Sequence, residues 1–311
     1  MKLKTIALMI FLSFSIAIGT AHAQLSASHT VGDQGLLAGS QAPAGFYLNY
    51  FFYNYDTSKI VSKNGAELTF PGSVNATAHV FGFLAVTKKQ FLGATYGASA
   101  FFLPYQDLSF EAPRLDVNTN SGYGYADIWV QPIQLGWHKK QADFITWYAF
   151  YAPTGRYEPG GQDNVGLGQW SHELSLGTTV YFDEHHAFHA ATVGSFEFHS
   201  HKKDSDAKTG AVLTMEGGLG TTYKQFLTGG LAYYSQWKLS DDSGLGLPPI
   251  VQDRLGKNRN FALGPEVGIV LPLTKDQKKL MILSFRYEFE TSTRLDTKGN
   301  IATLTATFKL S

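Results

Sequence analysis

The chain has 311 residues, 25 basic against 25 acidic side chains, no cysteine, 14% aromatic residues, 32 glycines and 16% charged residues. The charge balance excludes the basic surface that nucleic acid requires, and the missing cysteine excludes disulfides, thiol chemistry and a lipoprotein anchor. Ordinary soluble domains carry about 25% charged residues. A chain rich in aromatics and glycine, poor in charge and without a later apolar run of about 18 residues has the composition of a transmembrane β-barrel.

Lys2 and Lys4 precede the short apolar run 6–18 and the small-residue site Ala21-His22-Ala23. This pattern predicts a secretory signal peptide over 1–23. Two lysines leave with it, so 23 basic residues face 25 acids in the mature chain. Residues 24–43 are small and polar and read as a short periplasmic lead with no stable structure of its own. The barrel is expected over 44–311.

Twelve alternating runs follow, at about 46–55, 74–87, 91–103, 122–137, 142–151, 169–182, 186–199, 210–223, 225–239, 260–271, 280–290 and 301–310. Each is about ten to fourteen residues, long enough to cross a bilayer at a tilt and longer than the usual strand of about five or six. Short polar turns such as Lys88-Lys89-Gln90 and His138 to Gln141 alternate with long loops such as 104–121 and 240–257. Short connections collect on the periplasmic side of such barrels and long ones outside. The expected fold is therefore all-β, a transmembrane up-and-down antiparallel β-barrel of about 12 strands, with both ends of the strand array in the periplasm.

Lipid tolerates almost no charge, which sets the facing of each strand. Met281, Leu283, Phe285, Tyr287 and Phe289 face out, so Arg286, Glu288 and Glu290 face in. Phe261, Leu263, Val267 and Ile269 face out, so Glu266 faces in. The same reasoning puts Asp127, Glu173, Glu197 and Glu216 inside, with His79 and His199. This acidic interior, relieved by Arg286, suits either permeation or the packing of a narrow barrel.

The run Phe144–Tyr151 is aromatic at nearly every position and is broken by Pro153 and Gly155. A glycine-rich loop carrying Arg156, Glu158, Asp163 and Asn164 then leads to Trp170. It reads as the third outward loop, with Arg156 and Asp163 as a loop-ordering or gate pair. The expected solute path or gate comprises Arg156, Tyr157, Asp163, Asn164 and Trp170 at the rim, and Glu266, Arg286 and Glu288 inside. No G-x-S-x-G elbow or phosphate loop is present. His185, His186 and His189 lie about 35 Å along a strand from His199 and His201, too far to share a metal. No catalytic residue, metal or cofactor is expected.

Tyr151–Ser175, YAPTGRYEPGGQDNVGLGQWSHELS, resembles the bacterial proteins grouped as phenol meta-pathway degradation proteins, a group regarded as outer-membrane transporters. The likeness continues in GWH (Gly136–His138), DDSGLG (Asp241–Gly246) and NRNFALGPEVG (Asn258–Gly268). It extends to PAGFYLNYFFYNY near the start and YEFE near the end. The terminal aromatic of an outer-membrane signal sits at Phe308. The resemblance implies a non-enzymatic barrel of the Gram-negative outer membrane, inserted by the barrel-assembly machinery. Its partners would be membrane lipid and small hydrophobic or aromatic solutes. The expected function is passive uptake of such compounds. The alternative is a non-transporting barrel with a structural or ligand-binding role.

Overall fold

The computed structural model describes residues 25–112, 117–161, 163–224, 226–246, 257–276 and 278–310. The expected signal peptide lies outside the described residues. Among the described residues fifteen strands form one antiparallel sheet: β1 (Gly45–Val61), β2 (Glu67–Phe91), β3 (Ala94–Ala112), β4 (Val117–Asn120), β5 (Gly124–Tyr125), β6 (Ile128–His138), β7 (Ala142–Ala152), β8 (Ser171–Tyr181), β9 (Phe188–His199), β10 (Val212–Tyr223), β11 (Leu227–Lys238), β12 (Arg259–Pro272), β13 (Leu280–Arg294), β14 (Asp296–Thr297) and β15 (Asn300–Lys309). Twelve are long. The short β4 and β5 pair with β3, and β14 pairs with β1. β1 pairs with β2 on one side and with β15 on the other, from Tyr47 opposite Lys309 to Asp56 opposite Asn300. Among the described residues the twelve long strands therefore close into a cylinder, which pairs the backbone groups that lipid cannot satisfy.

Alternation sorts the two faces. On β7 and β8, Ile145, Trp147, Ala149, Glu173 and Ser175 are buried inside, while Leu174 and Leu176 are 52% and 68% exposed on the outer surface. Val267, Phe285 and Phe289 also lie on the outer face and Arg286, Glu288 and Glu290 on the inner, as the lipid argument requires. Outer rings cluster toward both ends of the strands, Phe46 with Phe83 and Tyr223 with Phe226 lying on the short-turn side. Tyr148, Phe150, Trp170, His172 and Phe198 form one group, and Tyr50, His79, Tyr105, Tyr123 and Tyr125 another. Such girdles mark the membrane–water boundary.

Three expectations are corrected. The segment 104–121 is not a loop throughout: β3 runs on to Ala112 and β4 pairs back against it. Pro104 is tolerated because the ladder shifts register beside it, at Phe81 and Gly82. Second, His79 faces outward. It sits opposite Phe52, accepts or donates a 2.9 Å bond with Tyr50 Oη, and belongs to the same face as Phe81. A ring that bonds a tyrosine at the girdle needs no aqueous lumen. Third, the connection at 88–90 is strand, and the turn itself is Leu92-Gly93, with φ of 52° and 75°. Two consecutive positive φ values are what a two-residue hairpin with right-handed strand twist demands.

The candidate site in the barrel lumen

The lead at 25–44 does not hang free in the periplasm. It runs through the barrel interior, from the short-turn side at β1 to the long-loop side at Leu25. Near the start of β1, Gln41 donates to Gln134 Oε1 at 3.0 Å and accepts from Thr95 Oγ1. Gly39 lies so close to Thr178 that a Cβ would fall 1.9 Å from a backbone carbon. Farther along, Leu36 is 1% exposed and packs against Gly218, Gly220 and Gly230. Its N–H donates to Glu266 at 3.2 Å. At the far end the Leu25 N–H donates to Asp242, and Lys238 Nζ donates to both the Leu25 carbonyl and Asp242.

The inner acids meet this segment. His29 is buried, with Nδ1 2.8 Å from Glu173 Oε2 and Nε2 2.7 Å from Glu216 Oε2. The N–H groups of Ser28 and His29 donate to Glu197, and that of Gly32 donates to Glu216 at 2.6 Å. Arg286 bonds Glu266 at 2.9 Å and donates to the Gly32 and Gln34 carbonyls, while Glu288 stands 3.9 Å from it. A segment without regular structure survives here because wall side chains satisfy its backbone groups.

Between segment and wall lies a cavity of about 230 Å³. Phe101, Trp129, Trp147 and Tyr151 form its aromatic side, Gln131 and Gln134 supply amides, and His29, Asp33 and Glu173 close one end. An enclosed apolar cavity of about 150 Å³ holds benzene, so the volume here is of the size a small aromatic ring needs.

The rim residues form a different arrangement. Arg156 Nε lies 3.2 Å from an Asp163 carboxylate oxygen and 2.8 Å from the Asp163 carbonyl, and Nη2 donates to the Ser121 carbonyl. Asn164 and Glu158 exchange two bonds of 2.8 Å. Asp127 anchors the loop by accepting from Gly155 and Leu167. Burial raises its carboxyl above the ordinary aspartate value, and these two N–H donors oppose the rise. Tyr157 packs on Gly168 and faces Lys202 Nζ, 5.2 Å from its ring centre. Burial pushes Tyr157 up and Lys202 down to about 8. Trp170 points outward at 46% exposure, 6.0 Å from Phe150, and borders a rim pocket together with Tyr157, Gly168 and His201. The structure thus brings together Glu266, Arg286 and Glu288, and separately Arg156, Tyr157, Asp163 and Asn164. Sequence reasoning missed His29, Asp33 and Gln41. The excess of inner acids over Arg286 was the signal that a basic partner had to come from elsewhere.

The family described as MetA-pathway of phenol degradation matches residues 57–305. The chain belongs to this family. Among solved structures it is similar to an outer membrane channel from Pseudomonas putida F1, at 13% identity over 90% of this chain and 99% of that one, with a TM-score of 0.72. The CymD monoaromatic hydrocarbon channel gives a TM-score of 0.42 at 9% identity, covering 86% and 89%. The translocator domain of the autotransporter NalP from Neisseria meningitidis gives 0.49 at 9% identity, covering 98% and 96%. The first of these shares the barrel fold across nearly its whole length. A search of the curated proteins returns no match.

Proposed function

We propose that this family member is a non-enzymatic outer-membrane channel for the passive uptake of small hydrophobic or aromatic compounds, inserted by the barrel-assembly machinery. The observation that carries this reading is the cavity of about 230 Å³ between the N-terminal segment and the ring-lined wall of β3, β6 and β7. Ring faces offer apolar contact, and the amides of Gln131 and Gln134 offer partners for a hydroxyl or carboxyl group. Membership of a phenol-degradation family and a barrel fold shared with an outer membrane channel support the same reading. Glu266, Arg286 and Glu288 act in it by holding the segment that narrows the path, and Arg156, Tyr157, Asp163 and Asn164 by ordering the loop above.

The test is reconstitution into liposomes and measurement of flux for aromatic acids and polyhydroxylated phenols. Flux above that of empty liposomes is expected. Equal rates for every solute would leave the second reading, a non-transporting barrel, which the segment's extensive bonding within the lumen favours.

A further inference from the structure

We propose that His29, Asp33 and Glu216 form a divalent metal site, of the zinc type, that staples the N-terminal segment to the barrel wall. One donor atom from each of the three residues can be chosen so that all lie within 4.8 Å of one another. His29 Nε2 is 2.7 Å from Glu216 Oε2 and 3.6 Å from Asp33 Oδ1. Ligand atoms about 2 Å from a tetrahedral ion stand roughly 3.3 Å apart, so small shifts admit the ion. A nitrogen and two carboxylate oxygens are a donor set that zinc accepts, with a fourth position left open. Asp33 and His29 border the lumen cavity, which gives that position access.

The surroundings repeat what metal-binding histidines require. The other ring nitrogen, Nδ1, lies 2.8 Å from Glu173, and a carboxylate there fixes the tautomer that presents Nε2 to an ion. Glu173 is itself held by Trp147 Nε1 at 2.7 Å and Ser175 Oγ at 3.2 Å. Glu216 is held by the Gly32 N–H. Two further facts point to a missing cation. Asp33 Oδ1 makes no hydrogen bond among the described residues and faces His29 Nε2 at 3.6 Å, on a side chain a quarter exposed to the cavity. Glu288, 1% exposed, makes no hydrogen bond through either carboxylate oxygen among the described residues, its one cation being Arg286 at 3.9 Å, and its Oε2 faces Gly32. Three carboxylates, Asp33, Glu216 and Glu288, thus crowd one end of the segment beside His29 and Arg286, and a divalent ion offsets their mutual repulsion.

The experiment uses the full, folded protein in detergent, stripped with chelator and then dialysed against zinc chloride alone. Bound metal is measured directly, and thermal unfolding is followed with and without zinc. We expect about one zinc per chain, an upward shift of the unfolding temperature, and at least a tenfold loss of affinity in His29→Gln and in Glu216→Gln. Heat-modifiable migration confirms that each variant is folded, and Asp33→Asn carries the test if the others are not. A His185→Gln/His186→Gln/His201→Gln variant keeps the zinc. Zinc retained equally by His29→Gln, zinc lost with the surface histidines, or no zinc in the native chain would each overturn the site and leave His29 as a doubly hydrogen-bonded imidazolium.

Discussion

Arg286 is 3% exposed and serves both the wall and the segment through one guanidinium. Arg286→Leu leaves Glu266 without its cation and removes the Arg286 donor from the Gly32 and Gln34 carbonyls. Removing one member of a buried pair costs about 3–5 kcal/mol, so urea unfolding in lipid vesicles should show a loss of that size. Lys202 gives a prediction in pH. Its ammonium donates to the Leu167 carbonyl beneath the central loop, and burial lowers its pKa to about 8. A detached loop would bind that proton more tightly than the packed one. The packed loop therefore gains stability as pH rises from about 8 toward the ordinary lysine value, and lacks that gain below 8. Hydrogen exchange over 156–168, corrected for intrinsic rates, should slow relative to Lys202→Met across this interval. Faster exchange would contradict the assignment. At this scale the sequence showed Arg286, Glu266 and Glu288 clearly, because their outer neighbours on β12 and β13 leave charge only one direction. It hid the outward placement of His79, because girdle rings bond and stack where a strict apolar rule expects only hydrocarbon.

Among the elements, β8 states the division of the wall most sharply. Leu174 and Leu176 face lipid, while Ser171, Glu173 and Ser175 are buried within. An arginine on the lipid face near the midplane costs about 2–4 kcal/mol. Leu176→Arg should lower stability by that amount in vesicle unfolding, whereas Ser175→Ala, inside, should cost less and leave outer-membrane insertion unchanged. Period-two alternation made β7 to β12 readable almost to their ends, whereas the start of β6 was placed six residues early and the end of β13 four residues short. The extensions of β2 and β3 were not readable, since Pro71, Pro104 and a run of Asp and Asn argue for loop, and only pairing with β1 and β4 shows otherwise. The N-terminal segment was least legible of all. It has neither the period of a strand nor that of a helix, and its order comes from side chains contributed by β8, β10, β12 and β13, which are distant in sequence.

For the whole molecule, closure and occupancy are separate achievements. Strand pairing from β1 round to β15 makes the cylinder, and the segment decides how much of its interior a solute can use. The strand array begins and ends on one side of the membrane, as an even number of spans requires. The described chain nevertheless begins on the other side, because residues 25–44 cross the lumen to Asp242 and Lys238. The two ends of the described chain thus lie at opposite mouths of the barrel, Leu25 beside Asp242 and Lys238 and Lys309 opposite Tyr47. A short epitope placed directly before Leu25 should be reached by antibody on intact cells, while the same epitope after Ser311 should be reached only once the outer membrane is breached. Labelling of neither end, or of the C-terminal epitope alone, would show that the leading residues never pass the pore.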